Sequence, residues 1–232
     1  MPIFFGRRGA WAVPMTRPLC LLALACLAGC GDGATAPEAA NNSASANIAA
    51  PAAPLGDLVR IRLETDAGPI LLELDHRHAP ITTENFVRYV DQHRFDGTVF
   101  YRTSHTPHDA QHGFIQGGIR HNYRLLFPPI PLEPTSRTGL LHRDGTISMA
   151  RTTPDSAMGD FVISIGAQPG MDAGPHAPGD HLGYATFGRV VEGMDVVRRI
   201  HAAPTDPNTG SGSMRGEMLS APVRIISARR AD

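Results

Sequence analysis

Apolar and polar positions alternate along Leu58-Val59-Arg60-Ile61-Arg62-Leu63-Glu64-Thr65. After Asp66-Ala67-Gly68, the apolar run Pro69-Ile70-Leu71-Leu72-Glu73-Leu74-Asp75 follows. A period of two on either side of a short glycine turn predicts a β-hairpin. From Pro80 to Val90 the pattern becomes helical: proline stands near the start, Glu84 reads as an acid of the first turn, and Ile81, Phe86, Val87 and Val90 share a face. Further strands are predicted over 98–102, 114–117, 146–151, 161–165, 185–191 and 223–228, separated by loops rich in glycine, proline and histidine. A second helix over 192–202 turns Met194, Val197 and Ile200 inward. Eight short strands and two helices in this order predict a mainly β fold, a closed eight-stranded antiparallel barrel capped by two α-helices.

Ahead of residue 57 neither period holds. Residues 18–29, PLCLLALACLAG, form an apolar stretch of twelve, short of the ~20 that a membrane-spanning helix needs. Arg7, Arg8 and Arg17 precede it and no acid occurs before Asp32, the layout of a signal peptide over 1–29, with Met15 as an alternative start. Leu27-Ala28-Gly29-Cys30 resembles the bacterial lipobox. That implies lipidation of Cys30 and an exported, membrane-anchored lipoprotein facing the periplasm, since acyl chains contribute ~0.8 kcal/mol per buried CH₂. Residues 31–56 are mostly Ala, Asn, Ser and Pro with no basic residue. They read as a flexible linker spanning on the order of 25–30 Å, which leaves 57–232 as the folded domain.

Composition removes several alternatives. With 42% apolar residues the chain can build a core, which excludes a wholly disordered polypeptide. The three cysteines, Cys20, Cys26 and Cys30, all precede residue 31. The domain therefore holds no disulfide, zinc thiolate site or cysteine nucleophile. All 21 basic residues are arginine and the formal net charge is −1, so no general attraction to nucleic acid is expected. His105, His108 and His112, with Asp109 among them, are zinc, copper or nickel ligand types, but Pro107 argues against the regular helix that would align them. Neither a metal nor a cofactor is expected. There is no G-x-S-x-G elbow, phosphate-cradling glycine loop or HExxH pair.

Four segments carry a resemblance. They are Val99-Phe100-Tyr101-Arg102 followed by Phe114-Ile115-Gln116-Gly117-Gly118; Gly145-Thr146-Ile147-Ser148-Met149-Ala150-Arg151; Asp155-Ser156-Ala157 leading to Phe161-Val162-Ile163; and Tyr184-Ala185-Thr186-Phe187-Gly188-Arg189-Val190-Val191-Glu192-Gly193-Met194-Asp195-Val196-Val197. In this order, over residues 58–230, the chain resembles the cyclophilin family of peptidyl-prolyl cis–trans isomerases, its bacterial exported branch in particular. The resemblance implies an enzyme that acts on X–Pro bonds of exported proteins and assists their folding, with proline-containing segments as partners and a monomeric state. It assigns the catalytic donor to Arg102 and substrate-backbone binding to Gln116, and it places Phe114 where a pocket methionine usually sits. Ala150, Arg151 and Thr152 match the strand edge that pairs with substrate, and Tyr184 stands where many relatives have histidine.

The departures are as specific. The interval from Arg102 to Gln116 exceeds the family's usual spacing, which predicts an inserted loop over Thr103–Gly113 that displaces one pocket wall. A substrate-binding glutamine is replaced by Asp160, which when ionised accepts but cannot donate and is expected to pair with Arg102 or Arg151. A pocket phenylalanine is replaced by Val162. The rim aromatic aligns with Gly170, where Met171 beside it offers some apolar surface. These changes imply a weakened or re-specialised isomerase that binds cyclosporin poorly. The alternative is a non-catalytic proline-segment binder or chaperone on the same barrel.

Overall fold

The hairpin forms as β1 (Leu58–Thr65) and β2 (Ile70–Asp75), antiparallel from Leu58 opposite Asp75 to Leu63 opposite Ile70. The computed structural model describes residues 55–120 and 122–232. The predicted signal segment, Cys30, the linker through residue 54 and His121 lie outside the described residues.

Beyond the hairpin come α1 (Pro80–Asp91), β3 (Val99–Thr106), β4 (Asp109–Gly118), the single turn α2 (Thr135–Thr138), β5 (Thr146–Met149) and β6 (Asp160–Ile165). They are followed by β7 (Thr186–Glu192), α3 (Met194–His201), the two-residue β8 (Thr205–Asp206) and β9 (Met218–Ala231). The strands pair in the order β1-β2-β7-β5-β6-β4-β3-β9, and β9 returns to β1. Eight antiparallel strands thus close a ring, and β8 adds a short ninth on β9. Closure removes the unpaired edges that an open sheet must protect. Ile61, Leu63, Leu72, Leu74, Phe100, Ile115, Ile147, Phe161, Ile163, Phe187 and Ile225 fill the interior. Helix α1 sets Phe86 against Phe161 and Phe187, at 5.4 and 5.3 Å between ring centres, and α3 contributes Val197 and Ile200 to the same core.

Several expectations are corrected. Thr103–Gly113 is not an inserted loop. It lengthens the β3–β4 hairpin to a Thr106–Asp109 pair, leaving Pro107 and His108 as a two-residue turn in which His108 takes φ 65°. β5 stops at Met149, and Ala150 keeps one backbone bond to the Asp160 carbonyl at 2.9 Å. β9 runs well past 223–228 at both ends. On α1, Ile81 is exposed, and the buried stripe starts at Thr82 and Thr83. Glu84 falls beyond the first turn. The anion at that helix start is Glu133, buried, whose Oε2 accepts the Thr82 N–H at 2.8 Å and the Thr82 hydroxyl at 2.6 Å.

Candidate active site

A β-bulge creates the site. Between Phe100 and Arg102 the pairing of β3 shifts, so Phe100 lies opposite Gly117 while Arg102 lies opposite Gln116. Strand residues two apart would otherwise share a face. The extra residue, Tyr101, lets Phe100 enter the core while Arg102 points to the outer surface of the barrel, into an open groove. Gln116 in turn pairs with Val162 on β6, and Ser104 and Phe114, two positions along, form the next rung on the same face. Opposed residues share a face, so Arg102, Gln116 and Val162 line up across three strands.

The groove encloses about 750 Å³ and is lined by Arg102, Phe114, Gln116, Ala150, Arg151, Thr152, Asp160, Val162, Met171 and Tyr184. Every substrate-facing residue singled out from the sequence is therefore brought to one surface. Arg102 Nη1 donates to Gln116 Oε1 at 2.8 Å, and its guanidinium carbon lies 5.1 Å from the centre of the Phe114 ring. Met171 ends a 3-10 turn, and its carbonyl accepts the Tyr184 N–H at 3.0 Å. Between them Gly183, at φ 64°, passes so near that a Cβ would sit 2.5 Å from the Met171 oxygen, which excludes larger residues. Gly170 faces open space, where a Cβ would meet nothing within 4 Å.

The expected pairing of Asp160 with Arg102 or Arg151 is replaced by other partners for both arginines. Arg151 spans the two Asp180 oxygens at 2.6 and 2.7 Å, donates to the Gly183 carbonyl at 2.7 Å, and lies over the Tyr184 ring. That fork holds the Asp180 carboxyl down to about 2. Arg102 takes Glu217. Asp160 Oδ1 accepts the Arg120 N–H at 2.8 Å, and its charge adds to the burial that pushes the Tyr101 phenol upward. Asp160 thus fastens the turn after β4 to the groove wall.

Residues not anticipated from the sequence also line the groove, notably Tyr101, Ser104, Met158, Met214, Glu217 and Met218. Glu217 lies 115 positions from Arg102 and ends a glycine-rich turn, so no local period marks it. The histidines of the β3–β4 hairpin have separate partners. His105 Nδ1 bonds the Ala110 carbonyl and His112 Nδ1 bonds Asp109. Among the described residues no group of three His, Cys, Asp or Glu side chains is arranged to hold a metal.

Residues 60–230 match the family described as cyclophilin type peptidyl-prolyl cis-trans isomerase/CLD. An Acinetobacter baylyi protein named peptidyl-prolyl cis-trans isomerase is 34% identical over 170 residues, covering 73% of this chain and 84% of that one. Peptidyl-prolyl cis-trans isomerase cyp18 of Streptomyces antibioticus is 36% identical over 173 residues, covering 73% of this chain and 96% of its own. The fold is similar to a crystal structure of a Cryptosporidium parvum cyclophilin type peptidyl-prolyl cis-trans isomerase, with a TM-score of 0.58 at 18% identity over 75% of this chain and 98% of that one.

Proposed function

The chain belongs to the cyclophilin-type peptidyl-prolyl cis-trans isomerase family, and on that premise we propose that it rotates X–Pro bonds of polypeptides in the groove around Arg102. The two isomers of such a bond differ by ~1 kcal/mol, but amide resonance raises a barrier of about 20 kcal/mol. A catalyst must seat the proline ring and stabilise the twisted amide, in which the prolyl nitrogen gains a lone pair. Phe114, Val162 and Met171 supply apolar walls, and Arg102 supplies N–H donors to the carbonyl and to that nitrogen. Because Gln116 already holds the guanidinium, the donors are in place before the amide twists, which is electrostatic preorganisation. The Arg102–Gln116 pair in an open, partly apolar groove is the observation that carries this reading. Exchange NMR on an X–Pro peptide tests it. Arg102→Ala should lower turnover about 100-fold, and turnover that survives the substitution rejects this role for Arg102.

The site of action follows from the N-terminal segment. The basic residues, the short apolar stretch and Leu27-Ala28-Gly29-Cys30 support an exported protein tethered through a lipid on Cys30. Residues 31–56 then act as a spacer between membrane and barrel. In this setting the clients are proline-containing segments of other exported chains, whose folding the enzyme assists as a monomer.

A further inference from the structure

A guanidinium on a long, flexible stem stabilises a twisted amide only if it stays aimed at it. Glu217, one residue ahead of β9, grips the side of Arg102 opposite to Gln116. Its Oε2 accepts Arg102 Nε at 2.8 Å and lies 2.6 Å from Nη2, while its Oε1 accepts the Ser104 hydroxyl at 2.7 Å. The backbone fixes this carboxylate. The Glu217 carbonyl accepts the Thr103 N–H at 3.0 Å, and its own N–H donates to the Met214 carbonyl at 3.2 Å. Both side chains are largely covered, at 15% exposure for Arg102 and 25% for Glu217.

Isomerisation gives no reason for a negative charge beside the donor, since a carboxylate weakens the field the guanidinium applies to the amide. Orientation does give a reason. Two fixed acceptors, Gln116 on Nη1 and Glu217 on Nε and Nη2, hold the planar fork from both ends and leave one N–H on each terminal nitrogen for substrate. We propose that Glu217 is a positioning residue for the isomerase reaction, held by Ser104 and acting through Arg102. The inference rests on the reading of Arg102 as the catalytic donor.

The test uses the full chain and exchange NMR with an X–Pro peptide. Glu217→Ala should lower kcat about tenfold or more while KM stays within about twofold. Glu217→Gln, which keeps an oxygen acceptor for Nε, should recover part of the loss. The Arg102 Nε–H resonance, identified by its disappearance in Arg102→Ala, should be resolved and slow to exchange in the wild type and lose both properties in Glu217→Ala. Ser104→Ala gives a milder form of the same changes and serves if Glu217→Ala does not fold. An unchanged or higher kcat in a folded Glu217→Ala, with Arg102→Ala inactive, overturns the positioning role and leaves the Arg102 reading standing. Full turnover in Arg102→Ala removes the Arg102 reading and this inference with it.

Discussion

Val162 stands directly opposite Gln116 across β4 and β6, so the shortest apolar wall of the groove shares a rung with the side chain that holds Arg102. Replacing Val162 with Phe adds roughly 40 Å² of apolar contact for a proline ring, about 1 kcal/mol at ~25 cal/mol per Å², or a KM lowered about fivefold. Gly170→Trp adds a rim where nothing lies within 4 Å to obstruct a Cβ. The double variant should be inhibited by cyclosporin at lower concentrations than the wild type. Tight inhibition of the wild type, measured by the same NMR exchange assay, would contradict the account of a shallow pocket.

Glu133→Ala removes the buried anion from the start of α1 and leaves the Thr82 N–H and hydroxyl without their acceptor. Loss of a charged partner from buried donors should lower unfolding free energy by about 2–4 kcal/mol. Urea unfolding should report this drop. Turnover per folded molecule should stay at the wild-type level, because Glu133 does not line the groove; a fall in kcat would contradict a purely stabilising role.

Acid should loosen the fold below neutrality. His142 is enclosed, with Nδ1 2.7 Å from Asp172 and Nε2 buried without a partner among the described residues. Burial pushes its pKa below 6.5 against the pull of Asp172. Burial, reinforced by the neighbouring His105 charge, does the same to His201. A histidine neutral when folded and protonated when unfolded gives the unfolded state the extra proton, so stability falls as pH drops from about 6.5 towards the lower folded value. At pH 5.5 the loss is at most ~1.4 kcal/mol per group. Urea midpoints at pH 7.5 and 5.5 should differ accordingly, and His142→Asn or His201→Asn should shrink the difference. Equal midpoints in the wild type would refute this origin.

Cys30→Ser should move the protein from the membrane to the soluble fraction of the bacterial envelope without changing its turnover. Equal membrane association of the variant and the wild type would rule out a lipid on Cys30 as the anchor.

How much of the molecule is legible in its residues follows the range of the interactions involved. The Leu58–Asp75 hairpin and α1 are written in local periods, and both form. The β3–β4 extension is hidden because Pro107 and a run of histidines interrupt the alternation, although Thr103 and Ile115 still face inward. Arg102, Gln116 and Val162 are marked by their short motifs, and they meet because their strands pair. Glu133 and Glu217 carry no such mark, because each acts on a partner more than fifty positions away, at 51 and 115 residues. A carboxylate of that kind looks in sequence like any solvated turn acid.

The barrel closes only when β9 reaches β1 and β3, and Glu217 meets Arg102 at that same seam. Arg102, Gln116 and Val162 all precede β9 in the chain, yet the guanidinium is held from both sides only where that final strand docks. Docking of the last barrel strand and the second hold on the arginine are in this sense one event.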